Sequence, residues 1–314
     1  HEHALIRGLE IEGIIRPLDV IELDGCIALV MEDFDGVPLG RIIGDGLEIG
    51  AFLELASGLA EILSELHQHD ITHRSIKPGN ILIHRGKKRI GLTDFGIASE
   101  IAHLHDEIYN PWVIQEVLAY ISPEQTGRMN CPVDYRSDLY SLGVTFYQML
   151  TGRVPFISKD PMEIIHAHIA RSPIPPHTES PAVPPAVSGI VMKLLAKAPQ
   201  ERYQNSAGLL ADLRECRHRL HSTGRIEPFT LASQDISTRF IIPQLLVGRE
   251  AELAHLGSSL DRVSRGRAEV LLVSGEPGIG KSALIQELHK PIVARRGYFL
   301  AGKYEELRRY LPYS

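Results

Sequence analysis

The plainest chemistry in this sequence sits in the run Gly275-Glu276-Pro277-Gly278-Ile279-Gly280-Lys281-Ser282. Glycines at 275, 278 and 280 let backbone N–H groups face phosphate oxygens, and a helix opening just after them adds a favourable dipole. Lys281 would reach the terminal phosphates, and the Ser282 hydroxyl would ligate Mg²⁺. The flanks suit this reading: residues 269–274 look like an apolar strand leading in, and residues 282–290 like a helix leading out. Four shorter runs lie upstream. They are His73-Arg74-Ser75-Ile76-Lys77-Pro78-Gly79-Asn80, Asp94-Phe95-Gly96, Ser122-Pro123-Glu124 and Asp138-Leu139-Tyr140-Ser141-Leu142-Gly143. Each alone says little; their order along the chain is what counts.

These residues need elements to hold them. Residues 14–20 and 26–32 are short β-branched-rich runs around a turn at 22–25, which predicts a hairpin. From 51 to 69 the apolar spacing becomes helical, with Phe52, Leu55, Leu59, Ile62 and Leu66 on one face. A second strand pair is predicted at 81–84 and 89–93, turning through Arg85-Gly86-Lys87. Residues 138–150 are apolar almost all round, end at Gly152 and precede Pro155, the pattern of a helix buried in a domain. Further helices are predicted at 161–170, 206–220 and 252–263. The proline- and serine-rich stretch 172–185 is expected to be a surface loop, and residues 222–246 to be a linker.

Bulk composition narrows the class. The 314 residues suggest two domains, and 44% apolar with 23% charged residues describes an ordinary globular protein. A net charge of −6 gives no electrostatic reason for nucleic acid to be a partner. No apolar run is long enough for a membrane span. Cys26, Cys131 and Cys216 are too few and too scattered for a disulfide framework or zinc knuckle, so a cytoplasmic setting is expected. The opening at His1 and the close at Ser314, shortly after the glycine run, suggest a piece of a longer protein.

The four upstream runs resemble, in order and spacing, the signature of eukaryotic-type protein kinases. The resemblance covers about residues 1–220. It implies that Asn80 and Asp94 hold Mg²⁺, that Lys77 stands near the transferring phosphate, and that Arg74 pairs with an anion of the activation segment. It places Met31 as gatekeeper and Glu32 to Phe34 as the hinge that meets adenine. Glu2 falls at the ion-pairing glutamate of the αC helix; its lysine partner and the Gly-rich loop would precede His1. Glu124 with Arg202 would be a structural pair, and Asp138 would open the buried helix. Val247-Gly248-Arg249-Glu250, followed by Leu253 and Leu256, resembles the entry of AAA-like signalling ATPases. Ala119 to Asn130 looks like a bacterial group that fuses a Ser/Thr kinase to such an ATPase and often to a sensor histidine kinase.

Two positions depart from the kinase pattern. Ser75 stands where the catalytic aspartate belongs, and Val117 where a threonine normally braces it. A hydroxyl is no general base at neutral pH, and valine donates no hydrogen bond.

The expected architecture is therefore an α+β protein-kinase-like domain, mostly helical, at 1–221. After the linker comes the first part of an α/β P-loop NTPase domain at 247–314. The expected activity is ATP- and Mg²⁺-dependent phosphorylation of protein Ser/Thr in bacterial signalling, acting on a protein substrate or downstream partner. The alternative is a pseudokinase acting as a nucleotide-gated scaffold.

Overall fold

A computed structural model of the chain describes residues 11–23, 26–87, 89–95, 116–129, 131–236, 248–276, 278–288, 291–292, 295 and 297. Glu2, Gly96 and Pro277 lie outside the described residues. There are two compact units: of the described chain, the first contains residues 11–127 and 132–236, the second residues 128, 129, 131 and those from 248 onward.

The first unit opens with the expected hairpin, β1 (Pro17–Leu23) paired antiparallel with β2 (Cys26–Met31). A three-stranded antiparallel sheet follows, β3 (Gly36–Pro38), β4 (Ile81–His84) and β5 (Ile90–Leu92), in the order β3-β4-β5. Between β3 and β4 runs α1 (Ile49–Gln68), whose start is capped by the Glu48 carboxylate accepting from the Ala51 N–H at 3.3 Å. Its apolar face buries Phe52, Leu53, Ala56, Leu59, Leu63 and Leu66 completely or nearly so. Each such Leu or Phe contributes about 1.5–3 kcal/mol of transfer free energy.

That face meets α2 (Arg136–Thr151) and α6 (Ser206–Thr223). The Phe52 and Phe146 rings contact edge-to-face at 5.3 Å. All but two of the α2 residues are buried, as the lack of a polar stripe predicts. Gly143 lets α2 approach its neighbour: a Cβ there would stand 2.7 Å from the Leu194 Cβ. Gly152, at φ +74°, closes the helix in the left-handed conformation that favours glycine. The next helix, α3 (Pro161–Ala170), has the Asp160 side chain as its N-cap and proline at its first position.

The stretch 172–185 is not simply a surface loop. It contains one helical turn, α4 (Pro176–Glu179), and leads into α5 (Pro185–Leu194), with Pro176 and Val183 buried. Proline at the first position of a helix gives up only an N–H that would be unpaired anyway, so a proline cluster can open helices as well as loops.

The 222–246 stretch also departs from a plain linker over 225–236. Ile226 is buried, and the Arg219 guanidinium lies over the Phe229 ring at 4.9 Å. The Asp212 carboxylate accepts from the Ala232 N–H at 2.8 Å, and Asp235 accepts from the N–H groups of Gln204 (2.7 Å) and Asn205 (3.1 Å). These isolated apolar and acidic residues lack any periodicity, so their docking was invisible without α6 beside them.

In the second unit, α7 (Glu250–Ser264) precedes an extended segment, and α8 (Lys281–Gln286) follows the glycine run. The strand expected at 269–274 is not formed. Val270 and Leu272 are 99% and 92% exposed, and no described residue pairs with them. Strand geometry depends on ladder hydrogen bonds to a neighbour, which an apolar run cannot supply for itself.

Candidate phosphoryl-transfer site

Asp138, fully buried in the first turn of α2, organises the loop that carries the site. Its Oδ2 accepts from the His73 N–H at 2.8 Å and its Oδ1 from the Arg74 N–H at 2.6 Å. His67 Nε2 lies 2.9 Å from Oδ2, and His67 Nδ1 is 3.1 Å from Ser206 Oγ, which ties α1, α2 and α6 to the loop. Arg74 adopts φ +64°, a conformation that costs a non-glycine residue about 1–3 kcal/mol. The two sides of this residue are clamped: Asp138 holds its N–H, and Gln125 Nε2 donates to its carbonyl at 2.9 Å. The anion expected for its guanidinium would come from the activation segment, and residues 96–115 lie outside the described residues.

His73 is packed against the Phe95 ring, with centroids 4.3 Å apart. Its Nδ1 accepts from the Ser75 N–H at 3.2 Å, so Nε2 carries the proton and donates to the Thr93 carbonyl at 3.1 Å. Burial pushes its pKa down, against the pull of Asp138 and Asp94, which keeps this neutral tautomer in place.

The loop therefore reaches β5 and the residues just beyond it. The Thr93 N–H donates to the Asn80 carbonyl at 3.0 Å, extending the Ile81–Leu92 pairing by one step. Asn80 and Asp94 consequently stand at the same end of two adjacent strands. The Asn80 amide nitrogen is committed to Ser75, at 2.9 Å from its carbonyl and 3.0 Å from its Oγ. That orientation reserves the amide oxygen as an acceptor. Asp94 has φ +68°, a left-handed non-glycine conformation like that of Arg74. An amide oxygen and a carboxylate are both hard donors of the kind that Mg²⁺ prefers.

Residues 1–212 match the family model of the protein kinase domain. The chain belongs to the protein kinase family. Residues 245–314 match the model of the AAA ATPase domain. Kinase and AAA ATPase domains use ATP with a divalent metal.

Serine/threonine-protein kinase Pkn1 of Myxococcus xanthus is 31% identical over 94% of this chain and 43% of its own length. Serine/threonine-protein kinase PknB of Mycolicibacterium smegmatis is 37% identical over 59% of this chain and 29% of its own. Hybrid signal transduction histidine kinase G of Dictyostelium discoideum is 39% identical over 62% of this chain and 6% of its own. The chain thus spans less than half the length of these relatives.

In this kinase the activation segment's end is anchored by Glu124 and Arg202, which are almost fully buried. They form two parallel bonds, Nη1 to Oε1 at 2.7 Å and Nη2 to Oε2 at 2.8 Å. The remaining guanidinium hydrogens go to the carbonyls of Ala196, Arg136 and Lys197, so all five donors are used. Burial alone would raise the Glu124 carboxyl, but Arg202 and the Ser137 hydroxyl outweigh it and hold the pKa below the usual range.

The residues expected at the gatekeeper and hinge positions, Met31 and Glu32 to Phe34, are arranged differently from one another. Met31 ends β2, and the Glu32 N–H donates to the Arg16 carbonyl at 2.9 Å. The Phe34 ring packs edge-on to His84 and under Arg89, so its side chain is occupied by the β4–β5 hairpin. In the second unit Gly278 and Gly280 have φ +83° and +95°, and Lys281 Nζ donates to the carbonyls of Gly275 and Glu276, both at 2.8 Å. Ser282 is exposed just inside α8.

Sequence reasoning passed over Gln125, His67 and Glu116. Gln125 stands next to Glu124 in the motif, which was the available signal. Glu116 has none: its carboxylate reaches Lys77 Nζ, at 3.2 Å, across 39 positions of sequence.

Proposed function

We propose that this chain carries the catalytic core of a signalling kinase that transfers the γ-phosphoryl group of Mg·ATP to serine or threonine of a protein. The observation that carries the reading is the bond from the Thr93 N–H to the Asn80 carbonyl, which puts an amide and a carboxylate at one strand end. Asn80 and Asp94 would hold Mg²⁺, which when bound neutralises charge on the β- and γ-phosphates. Lys77 would face the γ-phosphate, Met31 would be the gatekeeper, Glu32 to Phe34 would form the hinge that meets adenine, and Glu2 would pair with the strand lysine. In the second unit Gly275, Gly278 and Gly280 would cradle a second nucleotide, with Lys281 on its phosphates and Ser282 on its metal. The names of the Myxococcus and Mycolicibacterium relatives support the choice of Ser/Thr acceptors.

One observation favours a second reading, a nucleotide-gated scaffold. Ser75 Oγ is tied to Asn80 and cannot take a proton from a substrate at neutral pH. Incubating the full-length protein with γ-labelled ATP and Mg²⁺, then hydrolysing it for phosphoamino acids, tests both. The expected result is acid-stable label on serine and threonine, retained when Lys281→Ala silences the second site. Nucleotide binding with no such label would leave the scaffold standing.

A further inference from the structure

We infer that Glu116 supplies the carboxylate missing from position 75, acting as the general base for the substrate hydroxyl; this rests on the kinase reading above. The catalytic loop itself offers no base, since Ser75 is a hydroxyl held by Asn80 at 3.0 Å. Glu116 brings a carboxylate to the same loop from 39 positions further along the chain. Its Oε1 lies 3.2 Å from Lys77 Nζ, and a Cβ on Gly79 would come within 3.4 Å of that same oxygen. The carboxylate therefore lies over residues 77–79, beside the lysine that would face the transferring phosphate.

Exposure fits the role as well. The Glu116 side chain is 58% exposed, open to an incoming protein, whereas the Lys77 side chain is 16% exposed and fixed beneath it. Glu116 immediately precedes Val117, the position that lost its bracing hydroxyl. Glu116 thus adjoins one of the two positions, 75 and 117, that depart from the kinase pattern.

In the step so assigned, the substrate oxygen bonds to the γ-phosphorus as the bond from that phosphorus to the β–γ bridging oxygen breaks. ADP leaves with that electron pair. The hydroxyl proton passes to Glu116 and from there to water. The ion pair to Lys77 keeps the carboxylate on the loop between turnovers.

The test is a two-residue cycle in the full-length protein, measuring kcat and the KM for Mg·ATP. Glu116→Gln keeps the shape at an exposed site, so folding is not at stake. It should lower kcat by about 10²–10⁴-fold with KM unchanged, the usual contribution of a general base. Adding Ser75→Asp should restore kcat to near the wild-type value by returning a base to the loop. Unchanged or faster transfer by Glu116→Gln would overturn the assignment, as would failure of Ser75→Asp to rescue it. Wild type that binds Mg·ATP without transferring phosphate would also overturn it. Failure to bind Mg·ATP at all would instead remove the kinase reading beneath it.

Discussion

Asp94→Asn should cut Ser/Thr phosphorylation by about 10²-fold or more while leaving the fold unchanged. The size of the effect follows from charge, because asparagine matches aspartate in shape. The backbone tolerates the change too: φ +68° at residue 94 is a conformation that Asn and Asp both accept more readily than other side chains. No packing contact needs to be invoked. What is lost is the negative charge just beyond β5, where we propose that a divalent cation is held. Initial rates with γ-labelled ATP measure the loss, and an unaltered thermal unfolding midpoint shows that it is local.

The largest stability effect is expected at Arg202. Arg202→Leu should destabilise the kinase unit by about 3–5 kcal/mol, measured by urea denaturation. Leucine fills much of the volume, but it leaves the Glu124 carboxylate buried with only the Ser137 hydroxyl as a side-chain donor. It also strands the carbonyls of Ala196, Arg136 and Lys197. The pH dependence should change sign. In the wild type the depressed Glu124 pKa contributes stability above the unfolded carboxyl pKa, and this is lost as pH falls through the folded value. In the variant burial raises that pKa, so the deficit should shrink on acidification, as the carboxyl becomes neutral. Glu124→Gln in the Arg202→Leu background should recover part of the loss at neutral pH for the same reason.

Much of this molecule was legible wherever local chemistry alone decides the outcome. Residues 161–170 form a helix with the expected bounds, because Asp160 caps it and Pro161 opens it. The β4–β5 hairpin follows in the same way from its turn, and α1 from its periodicity. Glu124 and Arg202 meet as their motifs suggested, across 78 positions. The misreadings share a cause, which is dependence on a partner distant in sequence. The run 269–274 has a strand's composition but no neighbour among the described residues to pair with. Residues 225–236 read as linker because Asp235, Phe229 and Ile226 make sense only against α6. Glu116 was unremarkable in sequence, and its meaning comes from lying over Lys77 and Gly79.

The most direct test of the central claim is equilibrium dialysis of labelled ATP against the full-length Lys281→Ala protein, with Mg²⁺ and with EDTA. Silencing the proposed glycine cradle isolates the proposed site at the catalytic loop and the end of β5. The account predicts Mg²⁺-dependent binding that persists in Lys281→Ala and disappears when Asp94→Asn is added. Binding that survives Asp94→Asn undiminished, or that shows no need of the metal, would contradict it.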